Sequence, residues 1–367
     1  NGGTLETTGS FTLNSNRGIT LSGNGTINTG SGTVAYAGVI AGSNNFTKSG
    51  SGTLNLTASN TYTGTTLISA GTLKLSGSGL LAGTALTVNS GGTYDVDASD
   101  TIGSIAGAGS IDIAGSQILN VGGNNSSTSF TGVISGAGAL TKSGSGTLTL
   151  SGTSTFTGAT AITAGKIAIS SNAALGATNG ATTVSSGAAL SISGGITVAE
   201  AITISGTGIS SGGAIVFTGG ANTYSGAISL GATSTIVSSS GTQTISGATN
   251  GGQILTITTS DDLVISGIVG GSTELSSYTI NSSGDATINV NVKTSGNQSY
   301  TASDGVVLSG ARTFEGGTIT FASTTTGDNN LTITGNLDVD AAISGIAVLG
   351  VSGTSNLGAN VSSTGTQ

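Results

Sequence analysis

Apolar residues in this chain recur as short pairs at period two, set between Gly, Ser and Asn. From Gly50 to Leu75 the pairs are Leu54 and Leu56, Thr66 and Ile68, and Leu73 and Leu75, with Thr53, Asn55 and Thr57 on the opposite parity. Alternation sends successive side chains to opposite faces of an extended backbone, so this stretch predicts three short half-buried strands joined by turns. The pattern is already running near the start, at Phe11 and Leu13, Ile19 and Leu21, Ile27 and Val34. No apolar spacing of three to four is sustained, and Gly, Ser, Thr and Asn are poor helix-interior residues. The predicted class is all-β.

The pattern is also repeated as wording. Residues 38–76 align without a gap on residues 132–170, at an offset of 94. GVIAG pairs with GVISG, TKSGSGTL is identical in both, and Tyr62-Thr63-Gly64 pairs with Phe156-Thr157-Gly158. A weaker third copy lies near 219–237, around Asn222-Thr223-Tyr224-Ser225-Gly226. Inside the first copy, Leu54 and Leu56 return nineteen residues later as Leu73 and Leu75, a suitable length for one rung of a coil. Rungs of that kind stack like strands in parallel, about 4.8 Å apart. The expectation is a β-solenoid, a right-handed parallel β-helix forming a single elongated rod, with the hand taken from the general preference of parallel crossovers. Gly at the corners supplies positive φ, and Asn60 is placed to stack its amide at a bend. Residues 1–230 carry the repeats. In 231–367 the coil continues with a Gly-x-Gln phrase at Gly241–Gln243, Gly296–Gln298 and Gly365–Gln367, and larger rungs or extra loops are expected there.

Composition narrows the reading. The chain has 66 Gly, 6% charged residues and no Pro, Cys, Met, Trp or His. Collagen is excluded by the missing Gly-X-Y period and proline, and a disordered linker by the apolar pairs spread along the whole length. Lacking Cys and His, the chain has no disulfides, no ordinary zinc site and no Ser-His-Asp arrangement. A formal net charge of -8, with seven basic residues scattered from Arg17 to Arg312, argues against nucleic acid as a partner. No apolar run reaches the length of a membrane-spanning helix. The sequence opens at Asn1 without Met and stops inside a Gly-x-Gln phrase, so a portion of a longer protein is expected.

Two sets of residues merit attention as chemistry. Asp95, Asp97 and Asp112, with Asp100 nearby, form the densest carboxylate group. If Tyr94, Val96, Ile111 and Ile113 point inward, Asp95, Asp97 and Asp112 point outward on adjacent rungs. A solvated acidic strip is the favoured reading. Calcium, held by hard oxygen ligands, is the cofactor alternative, and a carboxylate pair acting on a polysaccharide is the enzymatic one; the strip shows no neighbouring cation in sequence. Asp338 and Asp340, opposite Leu337 and Val339, read as solvated surface. Tyr62, Phe156 and Tyr224 occupy equivalent places in the three copies. They are candidates for stacking on a glycan or partner if exposed; packing against their own rungs, with the Tyr hydroxyls at the surface, is favoured. Lys48-Ser49 reads as an exposed turn.

The first two copies, GSGTLNLTASNTYTGTTLISAGTLKL and GSGTLTLSGTSTFTGATAITAGKIAI, resemble the passenger-associated repeat of secreted bacterial autotransporters. GTQTISG, GNQSYTA and NNLTITGNL in the second half are similar to repeats of filamentous-haemagglutinin-like adhesins. The resemblance implies a β-helical stalk or passenger exported across the outer membrane, then displayed on or shed from the cell surface. The favoured role is structural and adhesive, with host or neighbouring-cell surface molecules, glycans among them, as partners; the missing His and thin carboxylate clusters count against an enzyme. Self-association through the helix ends into a head-to-tail filament is the main alternative.

Overall fold

A computed structural model describes residues 2–81 and 83–365. They form a β-solenoid of about 18 turns. One 3-10 turn, Ile209–Ser211, interrupts the strands, and there is no α-helix among the described residues. The chain divides into two compact units, Asn1–Thr183 and Val184–Gln367.

In the first unit each turn of the coil visits three faces. One face stacks Phe11–Leu13, Thr33–Tyr36, Thr53–Leu56, Gly71–Leu75, Gly92–Val96, Ser110–Ile113 and Val133–Gly136, all in parallel. A second runs from Gly3–Glu6 through Gly25–Asn28, Phe46–Ser49, Thr66–Ile68, Ala85–Val88, Ser104–Gly107 and Thr128–Phe130 to Thr147–Leu150 and Lys166–Ile169. The third includes Asp100–Ile102, Ile118–Val121, Ala139–Lys142 and Thr160–Ile162. Rung length follows the corner loops. Leu54 lies beside Leu73, nineteen residues on, as the sequence period predicts. Tyr94 meets Ile111 after only seventeen, and Ile111 meets Ile134 after twenty-three.

Alternation sorts the side chains as expected. Leu54, Leu56, Leu73, Leu75, Tyr94, Val96, Ile111 and Ile113 are all buried, and in register they form two continuous apolar columns inside the coil. Burying a side chain of this size stabilises by roughly 1.5–3 kcal/mol. The polar parity, Asn55, Lys74, Asp95, Asp112 and Ser135, makes the outer column of the same face.

The two sequence copies do not lie on the same faces. In the first copy Thr53–Leu56 stacks on Thr33–Tyr36, whereas its counterpart Thr147–Leu150 stacks on Thr128–Phe130, in the ladder that holds the first copy's Thr66–Ile68. An offset of 94 residues is therefore not a whole number of turns. The repeat specifies strand, corner and strand, and any of the three faces accepts it.

Corners are closed by side chains that reach the adjacent rungs. Asn60 is buried; its Oδ1 accepts from Ile40 N at 3.0 Å and its Nδ2 donates to Leu80 O at 2.8 Å, so its amide bridges the rungs on both sides. Gly71 and Gly165, 94 residues apart, both sit at φ 64°. A Cβ at either would overlap a backbone carbonyl of the rung beneath, Gly50 O and Gly144 O respectively. Glycine is needed there for conformation and for space alike.

The second unit stacks nine strands on one face, from Thr197–Val198 through Thr223–Tyr224, Gln243–Ile245, Leu263–Ile265 and Asp285–Ile288 to Val361–Ser363. The unit's long rungs come first, with twenty-six residues from Thr197 to Thr223; over 231–367, where larger rungs are expected from sequence, they are of ordinary length, Asp285 meeting Gly305 after twenty residues and Thr325 meeting Ile343 after eighteen. The wording differs because strands here run through a corner. Ile228–Ser238 pairs with Ile202–Gly206 at one end and with Ile215–Phe217 at the other, and Arg312–Phe321 shifts register against Leu331–Val339 between Glu315 and Thr318. Its core includes Tyr300, with ring centroids 5.3 Å from Phe314 and 5.4 Å from Phe321. Leu337 and Val339 point inward, as alternation predicts. The last Gly-x-Gln phrase, ending at Gln367, extends past the described residues.

Candidate functional site

The recurring aromatics are interior residues. Tyr62, Phe156 and Tyr224 are each 0% exposed, so none can stack on a glycan or a partner, and that reading is corrected. The Tyr hydroxyls are not at the surface either. Tyr62 shares a short hydrogen bond with Thr66 in the same turn, and Tyr224 donates to Glu200 O at 2.8 Å. Burial raises the pKa of both phenols, because a phenolate has no water to solvate it.

The acidic strip lies where alternation places it, with Asp95 directly beside Asp112 on the next rung. It has a cation after all: Lys74, in register with Asp95 on the preceding rung, pairs with Asp95 at 2.9 Å and with Asp97. Nothing in local sequence connects Lys74 to Asp95, since 21 residues separate them and only rung stacking brings them together. Burial pushes the Asp95 carboxyl up, more than Lys74 pulls it down. For Lys74, burial works against the ammonium, but its hydrogen bonds to Asp97 and Asp95 outweigh that and raise its pKa. Asp112 lies further along the strip and accepts from Ser135 Oγ at 2.8 Å. Among the described residues no three carboxylates converge as a metal-binding group. Both Asp95 and Asp97 are engaged by one ammonium, which compensates charge locally and leaves neither carboxylate as an isolated acid or nucleophile.

Asp100 parts from its neighbours. It is buried, accepts from Tyr94 Oη at 2.6 Å and from Leu81 N at 3.3 Å, and so closes a corner as Asn60 does two rungs earlier. Burial pushes its carboxyl above the usual range, with the Tyr94, Leu81 and Thr101 hydrogen bonds opposing.

Sequence reasoning missed the two lysines of the repeat. Lys48 is 0% exposed rather than in an exposed turn. Its Nζ donates to Ser49 O and Gly50 O at 2.9 Å, within its own corner, and to Ala70 O at 3.0 Å in the next rung. Lys142 repeats the arrangement on Ser143 O, Gly144 O and Ala164 O. An ammonium thus fastens consecutive corners together through three carbonyl dipoles. Burial brings the Lys48 pKa down to about 8 and lowers that of Lys142. The signal was available: Lys48 stands two residues after Phe46 and shares its inward parity, inside the identical TKSGSGTL.

The second unit does the same work with a neutral amide, which explains its Gly-x-Gln phrase. Gln243 is fully buried, and its Nε2 donates to Gly220 O, Ser240 O and Gly241 O at 2.9, 2.9 and 2.6 Å. Gln298 Nε2 donates to Glu315 O at 2.8 Å and to Thr294 Oγ1 at 3.1 Å.

The two lysine-fastened corners lie where the chain matches a known family. The passenger-associated-transport-repeat family matches at residues 46–75 and again at 140–169, each inside one of the two sequence copies and each containing one of the two buried lysines. No curated protein and no solved structure matches the chain. The paired repeat and the solenoid together suggest a secreted autotransporter passenger. Among the described residues no helix is long and apolar enough to cross a membrane, a statement that concerns helices alone.

Proposed function

We propose that this chain works outside the bacterial cell as a structural and adhesive segment of an autotransporter passenger. The observation that carries the reading is the pair of passenger-associated-transport repeats built into one parallel solenoid unit. Its mechanism is mechanical. Inter-rung hydrogen bonds lie along the coil and each rung is held by both neighbours, so stability accumulates by repetition without disulfides. The long outward columns of Thr, Ser and Asn offer a repetitive polar surface for weak contacts with another cell. Proteases specific for basic residues find little to cut, since there are seven Lys and Arg in all and two of them, Lys48 and Lys142, are buried.

The test is display. The chain is joined to an outer-membrane translocating barrel, and intact cells are probed with antibody and then scored for adherence to epithelial cells and to one another. Surface label together with adherence above that of cells carrying the barrel alone is the expected result. A chain retained inside cells that export a control passenger overturns the passenger reading, and surface label without added adherence overturns the adhesive one.

A further inference from the structure

On the acidic side of the first unit a polar cleft of about 480 Å³ lies beside the Lys74 ion pair. It arises at a corner. After Leu75 the chain leaves its face through a turn closed by Gly79 N to Ser76 O at 3.0 Å, with Gly77 at φ 63°. The cleft lies between this loop, Ser59 on the rung before it and Asp97, Ser99 and Gln117 on the two rungs that follow. The residues that matter in its wall are Ser59, Ser78, Leu80, Asp97, Ser99 and Gln117. A smaller hollow of about 150 Å³ shares Ser59, Leu80 and Ser99 and extends the cleft past Asp100 and Thr101.

The wall is organised before any ligand arrives. Ser99 Oγ accepts from Ile118 N at 2.9 Å and donates to Gln117 Oε1 at 3.0 Å, which orients the Gln117 amide and leaves its Nε2 as a donor without a partner among the described residues. Asp97 holds Lys74 through Oδ2, so Oδ1 remains an acceptor. The Ser59 and Ser78 hydroxyls can both donate and accept. Leu80, 37% exposed, is an apolar ridge shared by the two hollows. The volume falls within the roughly 300–1,000 Å³ of ligand sites.

We propose that this cleft binds a neutral saccharide of at least two rings. A sugar presents alternating hydroxyl donors and acceptors around a ring with an apolar C–H face, and the cleft offers the complement: an amide donor, a carboxylate acceptor, hydroxyls and an aliphatic ridge. Charge selects against acidic sugars. Lys74 with Asp95 and Asp97 carries a net negative charge, and Lys74 is already committed to both carboxylates, so a uronic or sialic acid meets repulsion with no free cation to answer it. Binding to the cleft does not depend on export or on cell adherence.

The experiment therefore uses the purified chain, so that its failure is separable from failure of display. It is applied to an array of neutral, amino and acidic oligosaccharides, and the strongest ligand is then titrated by calorimetry against wild type, Gln117→Ala and Asp97→Ala. Asp95 retains Lys74 in the last variant, and circular dichroism confirms the fold of each. Retention of neutral oligosaccharides, with each variant weakening binding about fivefold or more, is the expected result. No retained neutral glycan, a preference for acidic ones, or unchanged affinity in whichever variant is folded overturns the proposal.

Discussion

Replacing Lys48 by Met removes the ammonium while keeping the length and volume of the side chain, and its effect on stability depends on pH. Ser49 O also accepts from Thr29 N at 3.0 Å, so it keeps a donor, whereas Gly50 O and Ala70 O lose the one Lys48 supplied. A buried carbonyl left unpaired costs about 1–3 kcal/mol. Against this, wild type bears the cost of a buried ammonium with no carboxylate; the ion pairs seen among the described residues involve Lys74 and Lys293. In the unfolded chain Lys48 titrates near 10.5, and in the fold at about 8. Between those values the unfolded state binds the additional proton, so raising the pH through the window favours the fold, and below about 8 that gain is absent. At about 1.4 kcal/mol per unit the full shift is worth about 3 kcal/mol, and because the ammonium sits just beneath a surface turn, solvent screening reduces it to roughly 1–2 kcal/mol. Near pH 7, then, the relieved charge offsets part of the cost of the two lost hydrogen bonds in Lys48→Met, and the variant's deficit is reduced. By pH 10 wild type has a neutral amine that still donates, and the variant shows its deficit in full. Guanidinium unfolding of both proteins at pH 7, 8.5 and 10, followed by circular dichroism, measures the gap. Parallel curves, with the gap constant across that range, would refute the reasoning.

Two other substitutions probe the corners. Tyr94→Phe takes from Asp100 its hydroxyl donor at 2.6 Å and should cost about 1.5–3 kcal/mol at pH 7; because the folded pKa of Asp100 is raised, the cost should shrink as the pH falls through it and the carboxyl becomes neutral, and an equal loss of Tm at pH 7 and pH 4 contradicts this. Gly165→Ala combines positive φ with overlap on Gly144 O and should destabilise by at least about 2 kcal/mol in chemical denaturation, whereas a fully tolerated alanine would mean that the corner can reshape.

Much of the architecture was legible in the chain. The period-two pairs identified the strands and their inward residues, and the nineteen-residue return of Leu54 and Leu56 identified one rung with the correct register. The carboxylates Asp95, Asp97 and Asp112 were correctly placed on one outward strip. Misreadings arose where a polar residue stands at an inward parity. Charge alone places Lys48 in a turn, though its spacing from Phe46 puts it inside. The Tyr62 and Tyr224 hydroxyls find interior partners instead of the surface, Thr66 in the same turn for one and Glu200 O on the preceding rung for the other.

Alternation is a local property, so the sequence alone determined which side of each strand faces inward, the all-β class and the existence of a repeated module. Which residues meet across rungs depends on loop lengths accumulated over whole turns, from the seventeen residues between Tyr94 and Ile111 to the twenty-six between Thr197 and Thr223. Only the tertiary structure therefore decided that Lys74 lies between Asp95 and Asp97 and that buried ammonium and amide groups fasten the corners. It likewise decided that the two copies of one module occupy different faces, because three faces with equivalent interiors impose no penalty on a repeat that is out of step with the turn.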